Sequence, residues 1–312
     1  MDASLPDEFR KSIFRMHSSR TNFGFILGFL GVCIFAGSLP ATRLAVEFID
    51  PWFVTAARAG IAGVCALALL LMLRRPLPPK RVWPGFVIIA LGVVFGFPFF
   101  SALAMQNVPA SHGAVVLGVL PLATAAAAVV MAHERPGWGF WIAGIIGAAL
   151  VMLFAIHQNG GLQNFAGLSE GDAQLVLAIM SAAIAYTASG ALTRTMPGWE
   201  VISWTLVLSL PFSLLACWLL LPSDLSAIPA SAWSGLLYSA LMAQWMGFFF
   251  WNAGLALGGI SRVSQVQLVQ PFVTVALAAL VNRESVGLDT ILFALAVVTT
   301  VAVATRMRVT RA

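Results

Sequence analysis

SRVSQVQLVQPFVTVALAALVNRE, Ser261 to Glu284, is long enough to cross a bilayer, yet its first half carries Gln265, Gln267 and Gln270 just ahead of Pro271. An amide exposed to hydrocarbon loses its water partners, at a cost of roughly 1–3 kcal/mol if nothing replaces them. These side chains must therefore face protein or a wet cavity. At roughly 100° per residue, Ser264, Gln267, Gln270, Pro271 and Thr274 share a stripe about 120° wide, and Gln265 lies outside it.

The chain holds a second version of this stretch. At an offset of 150 residues it reads SHGAVVLGVLPLATAAAAVVMAHE, Ser111 to Glu134. Ser111/Ser261, Pro121/Pro271, Thr124/Thr274 and Glu134/Glu284 keep this spacing, and so do Trp83/Trp233 and Gly85/Gly235. Six identities at one offset mark an internal repeat. The copies differ in chemistry, because Gln267, Gln270 and Ser264 correspond to Leu117, Leu120 and Ala114. A cavity between a polar stripe and an apolar one suits a molecule with a polar end and a greasy end.

Composition sets the class. The chain has 312 residues, 60% hydrophobic and 9% charged, against about 25% charged in a soluble domain. It reads as a polytopic membrane protein. Ten apolar segments can be drawn, at 23–46, 52–73, 83–104, 109–131, 138–157, 171–194, 199–221, 231–256, 261–281 and 286–305. The first exceeds the 7–15 residues typical of a signal-peptide core, so it is predicted to remain as an uncleaved helix. Connections are short, which leaves no sizeable domain outside the membrane. Cys33, Cys65 and Cys217 lie inside apolar segments without CxxC spacing and read as small core residues.

The basic residues predict orientation. Arg10, Lys11, Arg15 and Arg20 precede segment 1; Arg74, Arg75, Lys80 and Arg81 follow segment 2. Arg135, Arg194 and Arg262 follow segments 4, 6 and 8, and Arg306, Arg308 and Arg311 follow segment 10. Only Arg43 and Arg283 fall on the other side, with Arg58 inside segment 2. Both termini are thus predicted to be cytoplasmic, which requires an even number of spans. Five spans per half is odd, so the second half enters from the opposite side. The expected architecture is all-α and integral to the membrane, with ten transmembrane helices as two inverted five-helix repeats. The expected boundaries are a polar cytoplasmic tail at 1–22, halves at 23–157 and 171–305, and a basic cytoplasmic tail at 306–312. The net charge of +5 follows from these loops and does not indicate nucleic acid.

This pattern resembles the drug/metabolite transporter superfamily, and specifically its EamA-type members. The resemblance is carried by the 5 + 5 arrangement and by Pro-containing fourth and ninth segments that close on Glu (Ala132-His133-Glu134-Arg135 and Val281-Asn282-Arg283-Glu284). The Pro51-Trp52-Phe53-Val54-Thr55-Ala56-Ala57-Arg58 entry into segment 2 adds to it. It spans nearly the whole chain. Within that group the chain looks most like bacterial amino-acid exporters, including the aromatic amino-acid exporter branch. The resemblance implies a central cavity lined by segments 1, 3, 4, 6, 8 and 9, and a plasma (inner) membrane location. It implies export of small amphipathic metabolites, amino acids first, by alternating access. Other metabolites or drugs of the same superfamily, or a non-transporting membrane scaffold, are the alternatives.

The candidate substrate-binding residues follow from polar positions in apolar helices. They are Ser264, Gln267 and Gln270 in segment 9, Gln244, Phe248, Trp251 and Asn252 in segment 8, Tyr186 in segment 6, Ser38 in segment 1 and Ser101 in segment 3. The segment 8 face reads equally as core and as cavity wall. Pro40, Pro98, Pro121 and Pro271 are candidate hinges, because a proline inside a helix removes a backbone bond.

Arg58 reads first as a structural arginine reaching the interface or a neighbouring helix end, with contact to a substrate carboxylate as the alternative. Glu134 and Glu284 read as helix-end residues ahead of a gating role. Gly24/Gly28, Gly92/Gly96 and the Ser181/Ala185/Ser189 row read as close-packing faces.

Absences shape the reading too. No Asp, Glu, Lys or His sits in the middle of an apolar segment, which disfavours a cationic-drug/proton antiporter built on an embedded carboxylate. A sugar-nucleotide carrier would want several cations in the cavity, and a channel would want a polar ring. An enzyme would want paired acids, HExxH or a nucleophile–base set. None of these is present, and no cofactor is predicted. His112 and His133 lie about 30 Å apart at 1.5 Å per residue, so they cannot share a metal. The expected partners are a small-molecule substrate and the lipid bilayer, with the protein a monomer or weak homodimer.

Overall fold

A computed structural model describes residues 7–132, 134–136, 138–158, 169–258, 264–306 and 309–311. Each of the ten apolar segments is helical there. Segment 1 holds α1 (Asp7–Ala36) and α2 (Ser38–Val46), and segment 2 is α3 (Pro51–Met72). Segment 3 runs through α4 (Trp83–Ile89), a π-helical stretch (Ala90–Gly96) and α5 (Phe97–Asn107). Segment 4 is α6 (Ala110–Leu117) and α7 (Leu120–Ala132), and segment 5 is α8 (Trp138–Gln158). Segments 6 and 7 are α9 (Glu170–Leu192) and α10 (Gly198–Leu219). Segment 8 holds α11 (Ala230–Leu237), a second π-helical stretch (Tyr238–Met246) and α12 (Gly247–Gly258). Segment 9 is a 3₁₀ stretch (Ser264–Val269) and α13 (Gln270–Val281), and segment 10 is α14 (Leu288–Arg306).

Among the described residues, five helical runs are long and apolar enough to cross a membrane by themselves, at Asn22–Val46, Pro51–Met72, Lys80–Asn107, Glu170–Leu192 and Gly198–Leu219. The α6–α7 pair, bent by 40°, makes a sixth if taken as one span. Trp138, Val130 and Leu280 are more than three-quarters exposed, a placement that water penalises and lipid accepts.

Local chemistry sets the helix ends. Asp50 caps α3 by accepting from Trp52 N at 2.8 Å and Phe53 N at 3.4 Å, with Pro51 in the first turn, where its missing N–H costs nothing. Ser169 and Asp172 form a reciprocal capping box at the start of α9. Arg74 (φ 49°) and Arg283 (φ 55°) adopt left-handed backbone just beyond α3 and α13, the usual way to stop a helix.

The prolines mark breaks without sitting at their centres. Pro98, Pro121 and Pro271 each occupy the second position of the helix that follows a break, and Pro40 lies in the first turn of α2. A proline there forfeits no intrahelical bond.

The two halves run antiparallel. Glu284, beyond the C-terminal end of α13, bonds the N-terminus of α6. His157 near the end of α8 meets Asp289 at the start of α14, at 3.0 Å. Helices in equivalent positions thus lie head to tail. The helix pairings also come in twos: α1 packs on α12 as α5 packs on α9, and α13 packs on α1 as α7 packs on α9.

Glycine permits the tightest of these contacts. A Cβ on Gly254 would lie 2.6 Å from Gly28 N and 2.8 Å from Gly24 O. One on Gly92 would collide with Ala185 Cβ and Ser181 O. Both GxxxG pairs and the small-residue row are therefore packing faces.

One feature lies outside the helical expectation. Glu134–Pro136 pairs antiparallel with Val309–Arg311 as a three-residue ribbon. It is the only sheet among the described residues, and it joins the start of segment 5 to the chain beyond segment 10.

Candidate functional site

The breaks in segments 3, 4, 8 and 9 converge on the middle of the molecule. Leu117, Leu120 and Pro121 from segment 4 face Gln267, Gln270, Pro271 and Thr274 from segment 9 across a cavity of about 10 Å³. Leu117, Leu120 and Gln270 also border a second cavity of about 30 Å³. Its other walls come from Phe35 and Ser38, Val93 and Phe97, Tyr186, and Ala243, Gln244 and Phe248, with Arg58 entering from segment 2. Such volumes hold about one or two waters. Neither of these two cavities has room for an amino acid.

The π-helical stretches position the wall. Gln244, in the stretch of the second half, donates from Nε2 to Val93 O in the stretch of the first, at 3.0 Å. A side chain of one insert thus satisfies the backbone of the other. Phe248 stands one turn further on, edge-to-face with Phe35 at 4.9 Å and with Tyr186 at 6.1 Å. Thr274 Oγ1 donates to Ala36 O, at the break between α1 and α2, at 3.0 Å.

Six of the ten candidate binding residues therefore border the two cavities: Gln267, Gln270, Gln244, Phe248, Tyr186 and Ser38. Three line neither. Trp251 is buried against Phe35 at a centroid distance of 6.3 Å. Asn252 donates to Gly198 O at the start of α10, at 2.9 Å. Ser101 bonds back to Pro98 O at 3.1 Å. The Ser264 side chain lies outside the described residues.

The physical reason is height along the axis. Phe248, Trp251 and Asn252 share the continuous α-helix beyond the π insert, so they keep one face, but Trp251 and Asn252 stand about 5–6 Å further along it than Phe248 at 1.5 Å per residue. Ser101 stands in the same way one turn beyond Phe97, which does border the larger cavity.

One feature the sequence reading placed second as a substrate contact, and another escaped it. Arg58 is only 2% exposed, so it does not reach the interface. It borders the larger of the two cavities, and its Nε and Nη1 have no hydrogen-bond partner among the described residues. The other feature is a polar belt at one end of the bundle. There His112 Nε2 and Asp172 Oδ1 lie 2.6 Å apart, both buried. Arg43 Nη1 donates to Met105 O at 2.8 Å and Val108 O at 2.7 Å, at the C-terminal end of α5. Glu284 accepts from Ala110 N at 2.8 Å and Ser111 N at 2.9 Å. An acid at a helix N-terminus satisfies orphan N–H groups and complements the dipole. This belt ties segments 1, 3, 4, 6 and 9 together, and no spacing in the sequence announces its long-range pairs.

Comparison with known proteins places this geometry. The EamA-like transporter family model matches twice, at residues 22–156 and 169–306. The uncharacterized transporter YdeK of Bacillus subtilis (strain 168) is 44% identical over 288 residues, covering 92% of this chain and 99% of that protein. YyaM of the same organism, also an uncharacterized transporter, is 22% identical over 80% of this chain and 83% of its own length. An S-adenosylmethionine/S-adenosylhomocysteine transporter of Chlamydia trachomatis serovar L2 is 28% identical over 144 residues, or 44% of this chain and 43% of its own. A solved crystal structure aligns over 92% of this chain and 96% of its own with a TM-score of 0.60 and 21% identity, a likeness of fold alone. The double family match agrees with two antiparallel halves closing on a shared chamber, and the chain belongs to the EamA-like transporter family.

Proposed function

We propose that this protein is a secondary transporter exporting small amphipathic metabolites, amino acids first and aromatic ones among them, by alternating access. The observation that carries the reading is the chamber between the antiparallel halves. Its wall joins amides and hydroxyls (Gln244, Gln267, Gln270, Tyr186, Ser38) to aromatic and aliphatic faces (Phe35, Phe97, Phe248, Leu117, Leu120). Sites at repeat interfaces, beside broken helices, are the common arrangement in secondary transporters. The chlamydial relative is named for two molecules that carry an amino-acid head, which suits the same class.

On this reading the protein sits in the plasma membrane with both termini cytoplasmic, the orientation that the basic loops favour. The polar belt around Glu284 and His112 closes the outer end, and the breaks ahead of Pro40, Pro98, Pro121 and Pro271 are the hinges. The test is counterflow in proteoliposomes. Folded protein should exchange labelled aromatic or aliphatic amino acids above protein-free vesicles. Folded protein that exchanges none of them would sink the proposal.

A further inference from the structure

The chamber holds one charged side chain among the residues that line it, and that charge is unanswered. Arg58 is 2% exposed, and neither Nε nor Nη1 meets a hydrogen-bond acceptor among the described residues. No aspartate or glutamate stands among the lining residues. Buried guanidinium groups are ordinarily paired, because removing the charge from water is costly unless a partner compensates. An arginine held against a cavity without a partner is placed to receive one from outside. The guanidinium presents parallel N–H groups in a rigid fork, which matches a carboxylate in bidentate fashion. The rest of the wall suits the remainder of such a molecule. Phe35, Phe97 and Phe248 offer apolar faces, and Gln270 and Gln244 offer amides, of which Gln244 has already committed Nε2 to Val93 O.

We propose that Arg58 is the anion-recognising residue of the chamber, and that the transported class is defined by a carboxylate on an apolar or aromatic body. This rests on the transporter reading above. It goes beyond that reading by ranking the two ends of an amino acid: the carboxylate is required and the ammonium is not. A second consequence separates a ligand-binding arginine from a structural one. Removing an unpaired buried charge relieves the ligand-free protein, so substitution should stabilise it, whereas removing a structural arginine would weaken it.

The experiment uses the full-length protein purified in detergent and three probes that share a phenylethyl body: phenylalanine, 3-phenylpropionate and phenethylamine. A ligand that binds only the folded protein raises its melting midpoint. Phenylalanine and 3-phenylpropionate should raise it with apparent affinities within about tenfold of each other, and phenethylamine should bind at least tenfold more weakly. R58Q should lose at least tenfold in apparent affinity for both carboxylates, with a ligand-free midpoint at or above wild type. R58K should recover binding only in part, since an ammonium lacks the fork.

Three results would overturn the assignment. One is an amine that binds as well as the acids. Another is an R58Q variant that keeps their affinity. The third is a ligand-free midpoint that falls in both R58Q and R58K. None of these touches the transporter reading, which stands or falls on counterflow. If no probe shifts folded wild-type protein, the Arg58 assignment fails, and counterflow alone then decides whether transport fails with it.

Discussion

In the first half, segment 4 breaks at Gly118–Val119 and restarts as α7 at Leu120. In the second, the 3₁₀ stretch ends at Val269 and α13 begins at Gln270, the equivalent residue. The π-helical stretches repeat the lesson, because Ala90–Gly96 coincides at the same offset with the last seven residues of Tyr238–Met246. Backbone irregularity is therefore a property of both halves. Side-chain chemistry is not: leucines line the first break and glutamines the second. The hydroxyls differ as well. Thr124 bonds within its own helix to Leu120 O, and Thr274 bonds across to Ala36 O in the opposite half. The halves supply a symmetric frame, and the second supplies most of the polar groups inside it.

Exchanging residues between the halves tests this division. The largest effect is expected from Gly92→Met, which copies Met242. The new side chain would meet Ser181 O and Ala185 Cβ at once, and backbone cannot yield as a flexible side chain does. Overpacking of this kind costs about 1–3 kcal/mol or more, so the yield of monodisperse protein in size-exclusion chromatography should collapse. A normal yield would show that the two π regions pack alike.

Copying the first half's leucines into the second, as Gln267→Leu with Gln270→Leu, should leave yield and melting intact. Counterflow should fall about tenfold or more, since each lost substrate hydrogen bond is worth about 0.5–1.5 kcal/mol. Unchanged transport would move the site elsewhere in the chamber.

Gln244→Val, copying Val94, removes the bond that joins the two inserts. It should cost about 1–3 kcal/mol, because Val93 O is left buried without that donor. Thermal melting measures this, and an unchanged midpoint would mean the inserts are independent. The smallest effect separates the two threonines. Thr274→Val should lower the midpoint by the equivalent of about 1 kcal/mol, and Thr124→Val by less, because only Thr274 ties the halves together. Equal losses would deny the asymmetry.

The broad plan was legible because hydropathy and a fixed offset are properties of the chain itself. Ser111/Ser261 and Pro121/Pro271 declared the repeat, and the amides of Gln267 and Gln270 declared a wall that lipid would not accept. The π inserts were not legible, because an i→i+5 turn needs no composition that an α-turn lacks. The wheel over segment 8 grouped Trp251 and Asn252 with Gln244 and Phe248 because a wheel records angle and discards height along the axis. The burial of Arg58 was hidden for a different reason. Its sequence position, six residues beyond Trp52, suggested an interfacial arginine, and only the packing of neighbouring segments shows that it turns inward to the cavity. The His112–Asp172 pair spans 60 residues and leaves no periodic trace.

The π inserts also carry a chronology. Each adds a surplus residue to its helix, and they stand at one offset in both halves. The most economical history places that insertion in a single five-helix ancestor, before the gene doubled. The divergence between leucine and glutamine at the proline breaks came afterwards. The contorted helix is then the inheritance and the unequal lining the innovation, so specificity in this lineage was written onto a scaffold already bent.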